Sequence, residues 1–394
     1  MHKPTKDPVV ALAIIFPILP ENLNSSLQGV ESLVLQTIIQ GGSLGLSKKQ
    51  FQAQLQAHGI QLTTQVYADY VTIQMLCLKK HFAYARDLLF EALVEPAFEI
   101  GNYLQIRQRQ ALKQKQVLEE PKEKFLWQAQ KYFFKEHPYS FSPLGTYENL
   151  VTITRDSAFA FYRKVIQKYR LKVAIIGDIS IDSLATYLRN LPIGGETLAA
   201  HPSAPNFHSL KSHIEIDKSI SASYIEGRFL APSPQERNSI VLQIALIVAL
   251  EKLKKELCLR KNLTCDINLW YNPCAASHTI VSYVAKHPEP TIFAFNRILK
   301  ELIDRGFSIE EIENAKIKLI MGYYLKLQSK ENQIEELARQ LQHKNWELMQ
   351  NFPEIVKAIT PEEALKIFRQ YLRNGSWYVI AHSDKITKDI LGRY

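Results

Sequence analysis

A catalytic zinc held on a helix calls for two histidines four residues apart, so that both rings share one face. The chain has 394 residues and 11 histidines, and no two of them are four apart. His201, His208 and His213 gather near the middle, but their spacing is neither helical nor turn-like, and they read as solvated side chains rather than ligands. The cysteines Cys77, Cys258, Cys265 and Cys274 contain no Cys-x-x-Cys pair and no regular framework, which points to neither a disulfide scaffold nor a thiolate zinc knuckle. Arg107, Arg109, Lys113 and Lys115 crowd a stretch from about Asn102 to Leu118 that has no acidic residue. Such a stretch reads as a solvated basic face and would repel a divalent cation.

The elements that position these residues come from hydrophobic periodicity. Gln65 to Lys79 alternates, with Val71, Ile73, Met75 and Cys77 on one face, as a strand does. Phe82, Ala85, Leu88, Leu89, Ala92 and Leu93 follow at helical steps and stop before Pro96. Ser308 and Glu311 form a capping box ahead of Ile312, Ala315, Leu319 and Tyr323. The apolar run Val9 to Leu19 follows Lys3 and Lys6. It has the shape of a short signal-peptide core, but no small-residue cleavage site follows, and a buried strand is the alternative.

With 46% apolar residues the chain is long enough for two domains, each with its own core. The stretch from Pro192 to Asn206, with Pro202 and Pro205, reads as a linker, giving domains at 1–191 and 209–394 joined by 192–208. The net charge of +9 is spread without a basic stripe, which argues against a nucleic-acid partner. No apolar run approaches the ~20 residues needed to span a bilayer, so a soluble protein is expected, periplasmic or cytoplasmic if bacterial.

An internal repeat is also visible. Ile153-Thr154-Arg155-Asp156 opens one helix and Ile359-Thr360-Pro361-Glu362 another, and strands follow each, ending at Asp178 and Asp384. Thr154 and Thr360 lie 206 residues apart, as do Asp178 and Asp384. Cap, helix and strand thus keep register between the halves.

The segment His137-Pro138-Tyr139, Leu144-Gly145-Thr146, Glu148, Leu150, Ile153-Thr154, Phe161, Tyr169 and Val173 to Asp178 resembles the central region of the pitrilysin/insulinase-type zinc metallopeptidases, which include the mitochondrial processing peptidases. Gly59, the helix ending Pro96-x-Phe98, and Gly306 with Glu311, Ala315, Lys316 and Leu319 extend the match over most of the chain. The resemblance implies an α+β fold: two homologous domains, each a mainly antiparallel sheet backed by helices, forming a clamshell around a peptide-binding chamber. It also implies a strand ahead of Val9, before which only eight residues are present; either the chain is trimmed or the edge strand is lost, and an uncovered edge would be a site for pairing with another chain.

The family's zinc site is a helical His-x-x-Glu-His motif with a distal Glu. Laid on Gly29 to Gly41, the pattern places Ser32 and Gln36 at the histidines and Leu35 at the general base. A hydroxyl and an amide are poor zinc ligands, and leucine accepts no proton. The distal carboxylate falls near Lys113. Cys258 and Cys265 take the places of a second-domain Arg and Tyr that hold the substrate carbonyl in the family, while Arg260 and Tyr271 stand at the wrong spacing. The expectation is a non-catalytic partner or scaffold subunit, with no cofactor, beside a zinc-motif-bearing family member. Two alternatives stay open: a module that binds extended peptides by sheet-edge addition, and an active zinc metalloendopeptidase with unrecognised ligands.

Overall fold

In the computed structural model, which describes residues 1–4, 7–18, 26–135, 137–166, 171–190, 192, 207, 210–383 and 386–392, the chain forms two compact units with one five-stranded sheet each. Unit 1 comprises Met1–Glu119, Phe141–His201 and Lys326–Lys344; unit 2 comprises Glu120–Ser140, Pro202–Leu325 and Asn345–Tyr394. The two halves therefore exchange segments: 120–140 joins the second unit and 326–344 the first, which a simple division into 1–191 and 209–394 does not capture. Of the linker at 192–208, only Pro192 and Phe207 are among the described residues.

Sheet 1 is built from β1 (His2–Lys3), β2 (Val9–Pro17), β3 (Gln61–Val66), β4 (Tyr70–Leu78) and β5 (Lys172–Ile176), in the order β1-β5-β2-β4-β3. Sheet 2 has β6 (His213–Ile216), β7 (Ser223–Leu230), β8 (Ile267–Asn272), β9 (His278–Ala285) and β10 (Ser376–Ala381), in the order β6-β10-β7-β9-β8. The two orders are the same walk through five strands. In each, the first strand pairs parallel to the last, and the other pairings are antiparallel.

Unit 1 carries α1 (Val30–Gly41), α2 (Lys48–Ala57), α3 (Phe82–Val94) and α4 (Ile100–Glu119). The exchanged α5 (Pro121–Phe133) belongs to unit 2, and α6 (Tyr147–Thr152), α7 (Arg155–Phe161) and α8 (Ile181–Arg189) return to unit 1. Unit 2 continues with α9 (Asn238–Leu253), a π-helical extension of it (Lys254–Arg260), α10 (Pro288–Arg305) and α11 (Ile309–Lys326). The exchanged α12 (Lys330–His343) belongs to unit 1, and α13 (Trp346–Gln350), α14 (Phe352–Lys357) and α15 (Pro361–Tyr371) close unit 2. Among the described residues, no helix is long and apolar enough to cross a membrane.

Of the expectations about the first sheet, the buried strand is found and two need revision. Val9–Pro17 is an inner strand between β5 and β4, buried from Val10 to Phe16, which is the strand reading of that apolar run. The strand ahead of it is present after all: His2–Lys3 pairs parallel with Ile175 and Ile176, so two residues suffice to cover that edge of β5. Gln65 to Lys79 is not one strand but the end of a hairpin, because Tyr67 N–H bonds back to the Tyr70 carbonyl and turns β3 into β4.

The repeat has a structural counterpart. Thr154 and Thr360 each cap a helix through the side-chain oxygen. The strands that follow hold the same place in their sheets, and facing is conserved at the 206-residue offset. Val173 and Val379 turn to the main helical layer, while Ala174 and Ile380 turn the other way. The helix end at Tyr169 and the aspartate Asp384 lie outside the described residues.

Each main core is a sheet face against helices. In unit 1 the inward residues of β2 and β4 meet α1, α3 and α4; in unit 2 those of β7 and β9 meet α9, α10 and α15. The opposite face of sheet 1 packs Ala11, Ala13, Ile15, Ala174 and Ile176 against Ile334, Leu337 and Ala338 of α12.

Candidate functional site

The helix expected to carry the degenerate motif is α1. It begins after Gly29, whose φ of +85° suits glycine and whose missing side chain lets the backbone of Gly145 approach; an added Cβ would come within 2.7 Å of it. This glycine contact ties the Leu144-Gly145-Thr146 turn to the start of the helix. Gly145 itself sits at φ +79°.

On the exposed side of α1 the motif positions form a network of neutral donors and acceptors. Ser32, nearly buried, donates through Oγ to Gln110 Oε1 at 3.1 Å, and Gln110 Nε2 donates to the Leu144 carbonyl at 2.9 Å. Gln36 Nε2 donates to Thr64 Oγ1 on β3 at 2.5 Å and its Oε1 accepts from Gln40 Nε2. Gln40 Oε1 in turn accepts from the Arg109 guanidinium at 2.6 Å. Leu35 is fully buried in the core of unit 1 with Leu33, Val34 and Ile38.

The structure thus brings Ser32 and Gln36 onto one helix face and removes Leu35 from it. It places Gln110, rather than Lys113, at the side chain of Ser32; Lys113 lies one turn further along α4 and is exposed. Sequence reasoning passed over Gln110 because a glutamine among cations carries no charge signal, although the Arg-Gln-Arg-Gln spacing placed it one residue from Arg109.

These donors do not fit a catalytic zinc, which takes three imidazole, thiolate or carboxylate ligands. Here the candidates are a hydroxyl and amides already bonded to one another, with a guanidinium beside them. Among the described residues, no group of three or more His, Cys, Asp and Glu side chains is arranged to hold a metal ion. One carboxylate does lie on α1: Glu31, 3% exposed, has no hydrogen-bond partner on another residue among those described. Burial raises its pKa to about 7.

The second-domain positions are changed in a way that spacing did not reveal. Cys258 and Cys265 are joined in a disulfide with Cα atoms 4.6 Å apart, against the expectation of no disulfide. The reason is local: Asn262, at φ +49°, folds the chain back after the π-helical turn, so residues seven apart meet. Neither a guanidinium nor a phenol stands at these places, and the nearby substitutes are committed elsewhere. Arg260 pairs with Glu256, and the Tyr271 hydroxyl donates to the Pro232 carbonyl at 3.0 Å. Cys77 and Cys274 are buried and lie outside this disulfide.

Residues 152–319 match the family described as the peptidase M16 inactive domain. Among solved structures, the peptidase M16 inactive domain from Pseudomonas fluorescens superposes with a TM-score of 0.83 at 15% identity, over 96% of this chain and 94% of that one. A protease from Helicobacter pylori gives 0.84 at 12% identity, over 96% of each chain. A chain of Complex III2 from Candida albicans, with Inz-5 bound, gives 0.78 at 12%, over 98% and 95%. Among curated proteins, none matches the sequence. The resemblance read from the sequence is matched over residues 152–319 by the peptidase M16 inactive domain, and the chain as a whole shares the α+β fold of these solved structures.

Proposed function

We propose that the chain serves as a non-catalytic partner or scaffold subunit beside a family member that carries the His-x-x-Glu-His helix. The observation that supports this most is the cross-linked amide face of α1, where Ser32, Gln36, Gln40 and Gln110 bond to one another and to β3 instead of leaving ligands open. A scaffold that keeps its fold without its chemistry is of use as a surface, and function resides in sites rather than in folds. Similarity to a chain of a multi-subunit assembly is in keeping with this reading. The net charge of +9 favours an acidic partner and an association that weakens with salt.

The test is affinity capture of the full chain from its native source at low salt, followed by mass analysis. Recovery of a second chain with the zinc helix supports the reading; recovery of this chain alone overturns it. Zinc content is the companion measurement: near one zinc per chain, with chelator-sensitive cleavage of peptides, would establish the active-peptidase alternative.

A second reading rests on β3. It is the edge of sheet 1 opposite β1, and its residues alternate between exposed and half-exposed, which leaves one ladder side for an extended peptide. Binding of an unstructured peptide, abolished by a proline placed at Thr64, whose N–H faces away from β4, would support it.

A further inference from the structure

α4 carries no acidic residue before Glu119, and its four cations divide by what they touch. Arg107 donates to the Ile153 carbonyl at 3.0 Å and Lys115 lies over the Tyr147 ring, so both hold α4 to the segments that follow it. Arg109 and Lys113 do neither. Both are exposed, and at four residues apart they share one flank of the helix. Among the described residues no carboxylate pairs with either. One turn earlier on the same flank, Gln105 accepts from Lys48 of α2 at 3.5 Å, which brings a third cation to the row.

This flank borders the open face of α1 and, through it, the edge of sheet 1. Arg109 bonds Gln40, Gln40 bonds Gln36, and Gln36 bonds Thr64 of β3, so an unbroken run of side chains joins the cations to that strand. The strand is open on its far side. The Tyr67 N–H bonds the Tyr70 carbonyl, so the alternation of the antiparallel ladder turns the N–H and C=O groups of Leu62, Thr64 and Val66 away from β4. No strand among the described residues covers them. The side chains of the same three residues lie on the α1 face of the sheet, where Thr64 meets Gln36 while Leu62 and Val66 pack on the core. A segment added to this edge would set alternate side chains on that face, beside the amides and the cations.

We infer that the extended segment this edge takes up is acidic, with an aspartate or glutamate on its α1 side held by Arg109 and Lys113. The inference rests on edge addition at β3 and names the class of peptide that would be added. Backbone pairing holds a strand with little regard to its sequence, and selection comes from what its side chains meet. Here they meet three cations and no carboxylate. The Arg109 guanidinium uses one donor on Gln40 and keeps others for a planar carboxylate. A lysine or arginine on the peptide would be repelled, and an uncharged side chain would gain the ladder alone.

The experiment is calorimetric titration of the full chain with three peptides blocked at both ends: Ser-Val-Ser-Glu-Ser-Val-Ser and its versions with Gln or Lys at the centre. The Glu peptide is expected to bind at least about threefold more tightly than the Gln peptide, the scale of one partly exposed ion pair, and the Lys peptide most weakly. In the double variant Arg109→Gln with Lys113→Gln, both on the helix surface, that preference should disappear while binding of the Gln peptide stays within about twofold. Thr64→Pro, which removes a donor from the free edge, should abolish binding of all three. Circular dichroism checks that each variant is folded, and the double variant decides the charge selection by itself if Thr64→Pro does not fold. Equal affinity for the Glu and Gln peptides, or a preference that survives in the double variant, overturns the acidic selection and leaves edge addition standing. Failure of every peptide to bind at millimolar concentration, or binding untouched by a folded Thr64→Pro, overturns edge addition and the inference with it.

Discussion

The two sheets share one strand order yet receive their exchanged helices on very different surfaces. On sheet 1, α12 rests on Ala11, Ala13, Ala174, Ile15 and Ile176 through Ile334, Leu337 and Ala338, a seam of small aliphatic groups. On sheet 2, α5 rests on rings: Phe125 meets Tyr224 and Tyr378, Tyr132 meets Tyr378, and Phe134 meets His278, with centroids 5.2–5.7 Å apart. Beneath the end of α5, Arg228 lies over Phe133 and Phe134 and donates to Glu226 at 2.7 Å, with both charges almost wholly buried. The strand registers make Glu226 the counterpart of Ile15, since Tyr378 pairs with Glu226 as Lys172 pairs with Ile15. One topology thus tolerates an isoleucine or a buried ion pair at the same place, provided the helix laid over it is matched.

Removing half of that ion pair should have the largest effect. Arg228→Ala leaves Glu226 buried without a partner, at a cost of about 3–5 kcal/mol. Glu226 is already pushed up by burial, against the opposing pull of Arg228, and His278 beside them is held down to about 3 by burial and by Arg228. If the analogy with Ile15 is right, Glu226→Ile together with Arg228→Met recovers most of the loss, since apolar replacements of a buried pair are often neutral. Urea unfolding of wild type, single and double variants decides it. A double variant as unstable as the single would mean that the charges set the seat of α5 in a way the aliphatic seam of sheet 1 does not reproduce.

Unit 1 offers the contrast of a buried carboxylate with no partner. Glu336 is nearly buried on α12; desolvation pushes it up, but Arg339, Gln340 and Lys326 together hold it below the usual range. Glu31 has no such partners, and its pKa rises from 4.5 to about 7. For a raised carboxylate the folded state keeps its proton where the unfolded chain has lost it. Its contribution to stability is therefore full below about pH 4.5 and declines as pH rises toward 7. Glu31→Gln should flatten that part of the profile and stabilise the protein at pH 8 by an amount on the order of 3 kcal/mol. Melting curves from pH 4 to 8 give the slope; a wild-type profile as flat as that of the variant would show that Glu31 finds a partner in solution.

The disulfide adds a covalent difference in unit 2. Closing so short a loop restricts the unfolded chain by about 2.5 kcal/mol, so Cys258→Ser with Cys265→Ser, or reduction of the wild type, should lower stability by roughly that amount. An unchanged melting temperature on reduction would show that the π-helical turn and Asn262 hold the loop unaided.

Much of the scaffold was legible in the chain because it rests on local signals: the Thr154 and Thr360 caps, the Ser308 and Glu311 capping box, and the alternation of Val71 to Cys77. That Ser32, Leu35 and Gln36 share one helix was legible because its apolar spacing is local to Val30–Gly41. The exchange of α5 and α12 was not, since an amphipathic helix records that it packs but not on which sheet. Gln110 was missed because its role arises from a contact 78 residues away in sequence. The Cys258–Cys265 bond was missed because it depends on one positive φ at Asn262 that composition does not announce.

The smallest expected effect bears on the repeat itself. Thr154 Oγ1 accepts from the Ser157 N–H at 3.1 Å, and Thr360 Oγ1 accepts from the Glu363 N–H at 3.2 Å, so the two caps are equivalent in geometry as well as in register. Loss of such a cap costs about 1 kcal/mol. The helices behind them are not equally supported, however. α15 has Pro361 at its first position, which presets the backbone, and Arg237 bonds the carboxylate of Glu363 in the first turn. α7 is only seven residues long before its geometry changes to π, and among the described residues its first-turn Asp156 pairs with the adjacent, partly exposed Arg155 alone. Thr154→Ala should therefore cost more than Thr360→Ala, with the difference a few tenths of a kcal/mol, and serine at either place should restore most of the loss. Equal costs would mean that Pro361 and Arg237 add nothing to a start already fixed by the cap, and that the two halves remain interchangeable at this element.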